Sequence, residues 1–147
     1  MTIQDLIGAV VALMDDTPTF IHGNKGWQNL EVDEIKDDVV ILDEPVTSND
    51  DYRKSGLLEE NYTLIIYFFT KSELDYTPAQ HKPLIEAMRT RRRDFINRLS
   101  DYSIDGQKQI RAISGIRTVD LINVFDVNYT GVMLSITITP FNFLPHC

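Results

Sequence analysis

The sequence is short of the residues that build cross-links and metal clusters. Its single cysteine, Cys147, cannot close an intramolecular disulfide, and one cysteine gives no thiolate cluster. The three histidines, His22, His81 and His146, lie in different segments, and none has a partner at the spacing of a metal-ligand pair. We therefore predict no metal site, and we expect the chain to fold without a disulfide in a reducing compartment.

Signals for membranes and secretion are also missing. No apolar run approaches the ~20 residues that span a bilayer. Residues 1–16 lack the basic stretch of a signal peptide and are interrupted by aspartates. With 147 residues and 43% hydrophobic side chains, the chain has the size of one domain with its own core. We expect one soluble domain over residues 1–147, with no membrane contact.

Motifs that carry catalysis are absent too. No serine sits in a nucleophile-elbow pattern. The acidic pairs, Asp37 with Asp38 and Asp50 with Asp51, have adjacent rather than facing carboxylates, which is typical of solvated turns. We therefore predict no enzymatic activity, no catalytic residue and no cofactor. A hydrolase remains the alternative, if the fold brings histidines and acids together.

What the sequence does contain is charge separated along the chain. The net charge is −8, from 14 basic and 22 acidic residues. Residues 31–60 hold eleven acids and three bases, whereas residues 81–98 hold six bases and two acids, a net charge of +4. Opposite patches can orient identical subunits on one another, because they steer association and disfavour wrong docking. The alternative is an ordinary solvated surface with uneven charge.

Apolar periodicity predicts two helices. Residues 3–14 repeat apolar side chains at three- and four-residue spacing, with Thr2 as the N-cap and Asp5 completing a capping box. A longer helix begins at Thr77 and Pro78, because threonine is a good N-cap and proline suits the first helical position. This second helix carries the arginines of residues 81–98.

Short β-branched and aromatic segments predict the strands. They are residues 27–32, 39–42, 61–70, 109–116, 118–127 and 131–139, whereas residues 46–60 are an acidic loop without periodicity. Both faces of residues 61–70 are apolar, which predicts a central strand covered on both sides. The predicted fold class is α+β, an antiparallel or mixed β-sheet packed against two helices.

The arginines of the long helix form a candidate interaction face. Arg89, Arg92 and Arg93 share one side by three- and four-residue spacing, with Arg91 and Arg98 beside them. Such a row can contact phosphates, but the chain has a pI near 4.7 and no aromatic residues interleave the arginines for base stacking. Arginine also pairs with carboxylates. We favour contact with protein, and a nucleic-acid-binding regulator is the alternative.

Two further segments complete the candidate contacts. The acidic segment, residues 31–60, offers carboxylates. Residues 140–147 form an apolar tail that we expect to dock on the edge of the subunit's own core or on a neighbour. The candidate subunit-contact residues are Arg89, Arg92, Arg93, Arg98, Asp37, Asp38, Asp50, Asp51, Phe141, Phe143 and Leu144.

The order of these segments resembles the tail terminator and tail-completion proteins of long-tailed bacteriophages. The likeness covers most of the chain. It lies in the opening helix, the acidic strand and turn of residues 39–45, the hydrophobic strand of residues 62–69, the arginine-rich helix of residues 91–99, and the strand, glycine-ended turn and strand of residues 123–138.

The resemblance implies a structural virion protein with no catalysis. Such a protein forms a homo-oligomeric ring, often a hexamer, in the tail or neck region of the virion after synthesis in the host cytoplasm. The ring caps the tail tube and binds the tube and head-connector proteins, while genomic DNA passes through its lumen without sequence-specific contact. Another neck or tail-tube component fits the same pattern. The acidic segment would face either a neighbouring subunit or the lumen.

Overall fold

The structure is a computed structural model that describes residues 2–22, 38–52, 58–73, 75–124 and 129–141. Within these residues, a mixed β-sheet is packed against two helices, which confirms the predicted α+β class. The predicted strand at residues 27–32 lies outside the described residues. Neither described helix is both long and apolar enough to cross a membrane.

The described elements are two helices and ten strands, with α2 between two runs of strands. Their order is α1 (Ile3–Ala12), β1 (Thr19–His22), β2 (Val39–Leu42), β3 (Thr47–Ser48), β4 (Asp51–Tyr52), β5 (Leu58–Glu59), β6 (Tyr62–Lys71), α2 (Pro78–Asp101), β7 (Ser103–Ile104), β8 (Gln107–Lys108), β9 (Ile110–Val124) and β10 (Tyr129–Pro140).

The main sheet has the strand order β1-β2-β6-β10-β9, and β3 extends it beside β6. β1 and β2 are parallel, and the other pairs are antiparallel. The predicted central position of β6 is confirmed, since β6 lies between β2 and β10. The predicted cover on both faces is wrong in part, because Ile65 and Tyr67 on one face are only half-buried. On the other side of β10, β9 pairs with it antiparallel.

The hydrophobic core lies between the sheet and the two helices. Leu64, Ile66 and Phe68 of β6 are fully buried there, and alternate residues of β10 and one side of each helix pack against them. A second, smaller cluster includes Phe69 and Tyr129. Because successive strand residues point to opposite faces, Phe68 and Phe69 place the two clusters on opposite sides of the sheet.

Local hydrogen bonds start both helices where the sequence predicts. The Thr2 hydroxyl accepts from the Asp5 N–H (3.1 Å), and the Thr2 N–H donates to the Asp5 carboxylate (3.1 Å), so the predicted capping box is confirmed. At α2 the Thr77 N–H donates to the Gln80 side-chain oxygen (2.7 Å), and the helix begins at Pro78.

Two predictions about the strands are wrong in part. The acidic loop contains short strands, because β3 pairs with β6 and β4 pairs with β5 as a small hairpin. The two strands predicted at residues 109–127 are one strand, β9. Gly115 has φ +61° and lies where the register with β10 shifts, so it forms a bulge rather than a turn. A glycine accepts that positive φ without strain.

Candidate interaction surface

The predicted arginine helix is α2, and its arginines divide between two sides. Arg91 and Arg98 reach the residues that follow α1, whereas Arg89 and Arg92 reach β9. Arg93 is exposed. Helical spacing therefore predicted that some of these arginines share a face, but it did not predict which side of the helix meets which acid.

The side that faces the end of α1 is neutralised by the protein's own acids. Arg91 Nε donates to Asp38 Oδ2 (2.8 Å), and its terminal nitrogens donate to the carbonyl oxygens of Asp15 and Asp16. Arg98 pairs with Asp15 (3.3 Å) and with an aspartate one turn earlier on α2 (2.9 Å). Two predicted contact residues, Asp38 and Arg98, therefore form ion pairs within the subunit.

The side that faces β9 keeps positive charge. Arg89 donates to Asp120 Oδ1 from Nε (2.9 Å) and lies 2.8 Å from it through Nη2. Arg92 Nη1 donates to the Thr118 hydroxyl (3.0 Å), which carries no charge. Arg93 forms no ion pair within the part of the chain that the structure describes. We call Arg89, Arg92 and Arg93 the arginine patch.

The surroundings of Arg92 make this patch a strong candidate for an anionic partner. Burial lowers the pKa of Arg92 from its ordinary value, and the neighbouring cations Arg89 and Arg93 lower it further. Its Nε is buried and has no hydrogen-bond partner among the described residues. A carboxylate placed here would relieve the repulsion among three cations and form charge-assisted hydrogen bonds.

A groove adjoins the patch between α2 and β9. It has a volume of about 350 Å³. Ile85 of α2 and Ile122 of β9 line it with apolar surface, and Ile122 is 50% exposed. Lys82 and Arg89 add positive charge to the lining, and Glu86 and Asp120 add an equal negative charge. The groove therefore combines apolar surface with a rim of two cations and two anions.

The predicted acidic contacts are placed at the β4–β5 hairpin. Asp50 and Asp51 are exposed and form no ion pair within the described residues. Tyr52, which follows them, is 75% exposed. Glu59 on the other strand pairs with Arg111 at the start of β9 (2.7 Å). Asp37 lies outside the described residues.

A second hydrogen bond ties the base of this hairpin to the sheet. The Tyr62 hydroxyl donates to Glu60 Oε2 (2.6 Å). This bond to a carboxylate, helped by partial burial, raises the pKa of Tyr62 to about 12. The hairpin is therefore held to the main sheet by side chains of both β6 and β9.

The apolar tail leaves the sheet beside β9. The Phe141 N–H donates to the Gln109 carbonyl oxygen (2.9 Å), and Phe141 is 39% exposed. Phe143 and Leu144 lie outside the described residues, so the docking of the tail stays a prediction.

The two described histidines make separate contacts. His22 Nδ1 lies 2.8 Å from Glu44 Oε1 at the surface. His81 is buried, and its Nδ1 lies 3.1 Å from the Thr130 hydroxyl, which donates to Ser72 (2.9 Å). Sequence reasoning missed this buried polar network, because its members lie on separate elements without a spacing signal.

Within the described residues, no group of three or more histidine, cysteine or acidic side chains is placed to hold a metal ion.

Comparison with known proteins leaves the site to be interpreted from its own geometry. The chain matches no protein-family model, and no curated protein sequence matches it.

Proposed function

We propose that this protein is a structural virion subunit of a tailed bacteriophage, either a tail terminator or a head–tail connector component. It forms a homo-oligomeric ring, a hexamer in the form the resemblance implies, that caps the tail tube and joins it to the head. It binds tail-tube and head-connector proteins and carries out no catalysis. The phage assignment is supported by the order of elements in the sequence, and the assembly by the charges described above.

The observation that carries the proposal is the placement of unpaired charge within one subunit. Within the described residues, Arg92 and Arg93 have no carboxylate partner, and Asp50 and Asp51 form no ion pair. Most other described arginines are paired inside the subunit. Unpaired positive charge on α2 and unpaired negative charge at the hairpin are suited to a contact between two copies of the chain.

Such a pair of different patches favours a ring. A contact in which one patch of a subunit meets another patch of its neighbour is heterologous, and it closes into a ring when the rotation between subunits permits. Acidic surface left facing the lumen would repel the phosphates of passing DNA, so that the genome does not adhere to the ring.

Charge reversal tests this proposal. Arg93→Glu should weaken self-association at least tenfold, because it places a carboxylate beside the exposed acids of the neighbour. Lys108→Glu is the matched control, since Lys108 is an exposed lysine of β8 outside the patch and undergoes the same change of charge. Light scattering over a concentration series measures both variants. Equal association of the two would remove the patch from the subunit contact.

The arginine patch also supports one alternative, a nucleic-acid-binding regulator. In that case Arg93→Glu would abolish DNA binding while self-association stays unchanged, and wild-type binding would fall steeply with salt. Absence of DNA binding by the wild-type protein at low salt would remove this alternative.

A further inference from the structure

A pocket lies on the side of α2 that faces the end of α1, away from the arginine patch. It has a volume of about 530 Å³, and Ala87 contributes apolar surface to it. Its charged lining residues among those described are Asp15, Asp16, Asp38, Asp94 and Arg91. Arg98 pairs with Asp15 and Asp94, so four acids stand against two cations, a net charge of −2. We call it the acidic pocket.

Asp15 and Asp16 are the acids of this pocket that a partner can reach. The Asp15 side chain is 91% exposed, so its 3.3 Å contact with Arg98 leaves most of the carboxylate in solvent. Asp16 is exposed and forms no ion pair within the described residues. Arg91 binds both residues through their backbone carbonyl oxygens and not through their carboxylates. The pocket therefore has carboxylate oxygens available to a further cation.

The arginine patch has the complementary charge. Its three arginines stand against one acid, Asp120, a net charge of +2. Arg93 is the member suited to enter a pocket, because it is exposed and has no ion pair within the part of the chain that the structure describes. Its stem can lie along apolar surface such as that of Ala87. Its guanidinium can bind carboxylates through two hydrogen bonds at once.

The patch points away from the acidic pocket of its own subunit. Arg91 lines the pocket, and Arg93 follows two positions later, which at 3.6 residues per turn places it on nearly the opposite side of the helix. Arg89 and Arg92 reach β9, away from α1. Both surfaces nevertheless lie at one level along α2, so two copies can join side by side without an offset along the helix. Such a contact suits a closed ring.

We infer that the arginine patch of one copy docks on the acidic pocket of the next copy, with Arg93 inserted beside Asp15 and Asp16. The incoming carboxylates also offset the repulsion that Arg92 experiences from its neighbours. Each subunit uses its patch once and its pocket once, so the contact is heterologous. This inference rests on the proposed ring, and it names the acids that meet the patch.

The β4–β5 hairpin is the other acidic surface that the patch could meet. The pocket is the better partner, because its acids outnumber its cations, whereas Arg53 and Lys54 follow Asp50 and Asp51 in the sequence. The experiment below separates the two.

Charge reversal on each surface tests the inference. Asp15→Arg and Arg93→Glu should each weaken self-association at least tenfold in light scattering over a concentration series. An equal mixture of the two single variants should regain most of it, because every contact between unlike chains then joins an arginine to an acid. A mixture of Asp51→Arg with Arg93→Glu is the matched control and should regain none. Rescue by Asp51→Arg instead would assign the patch to the hairpin and overturn the inference.

Cross-linking between copies is a second measurement that leaves these charges in place. Two differently tagged chains are co-expressed on a Cys147→Ser background. One carries Ala87→Cys in the pocket, and the other carries Asn97→Cys, an exposed position one turn after Arg93. A short bismaleimide should give a product with both tags. Lys108→Cys in place of Asn97→Cys is the control, because Lys108 is exposed on β8, and it should give at least tenfold less product.

The two measurements distinguish failure of the contact from failure of the ring. Rings that form without the rescue by Asp15→Arg, or without the cross-link between positions 87 and 97, would overturn this inference and leave the proposed function standing. A wild-type protein that stays monomeric, with no cross-link, would overturn both.

Discussion

Replacing Phe68 with alanine tests whether β6 is the centre of the fold. Phe68 is fully buried in the main core, and its ring lies 5.5 Å from that of Phe95 on α2, tilted by 59°. Its backbone pairs with Val40 on one side and Val132 on the other. The substitution removes a buried ring and leaves a cavity between the sheet and α2. The cavity cannot close easily, because β2, β6 and β10 are held together by their pairing. The expected loss is about 3–5 kcal/mol in the free energy of unfolding.

Urea denaturation followed by circular dichroism measures this loss. The measurement is made at two protein concentrations, so that subunit association does not contribute to the difference. Leu13→Ala is the control, because Leu13 is 53% exposed and should cost no more than about 0.5–1 kcal/mol. A loss below about 1 kcal/mol for Phe68→Ala would refute the reasoning and place β6 outside the core.

Three further changes follow from contacts within the subunit. Arg91→Gln should lower the free energy of unfolding by about 1–3 kcal/mol in urea, because it leaves the half-buried Asp38 without its charged donor. Gly131→Ala should lower the free energy of unfolding by about 3 kcal/mol, since a Cβ there would collide with the β6 backbone. The thermal midpoint should fall accordingly, and an unchanged midpoint would contradict this prediction. The raised pKa of Tyr62 stabilises the folded state fully below pH 10, and this contribution is lost as the pH rises towards 12. Tyr62→Phe should therefore lose less stability than the wild type between pH 10 and pH 12. The difference should be at most about 1 kcal/mol, because solvent screens the side chain. Parallel pH profiles of the two proteins would contradict this prediction.

Burial patterns in the sequence predicted the central parts of the fold. The apolar residues of β6 predicted its central position, and the regular spacing in α1 predicted the side of the helix that packs on the sheet. The predicted cover of β6 on both sides is only partly correct, because both helices pack on one face and Ile65 and Tyr67 are half-buried on the other. The same logic failed for β3, β4 and β5, because strands of two residues are too short to show a periodicity. It also divided β9 between Ile116 and Thr118, because the sequence does not show that one strand continues past the bulge at Gly115.

The candidate surface was predictable only in part. Helical spacing placed Arg89, Arg92 and Arg93 on one side of α2, and that side does carry the unpaired charge. Spacing gave no information about partners distant in sequence. Arg91 meets Asp38 across 53 positions, and Arg98 meets Asp15 across 83, so both are paired inside the subunit. The groove required the same long-range information, because Ile85 and Ile122 come together only when β9 lies beside α2.

The mass of the wild-type protein in solution tests the central claim most directly. Light scattering coupled to size exclusion, with negative-stain images of the same peak, measures subunit number and closure together. The ring account predicts one discrete species, six times the 16.9 kDa subunit in the hexameric form, with images of closed rings. A 16.9 kDa monomer across the whole concentration series, with no rings in the images, would contradict it.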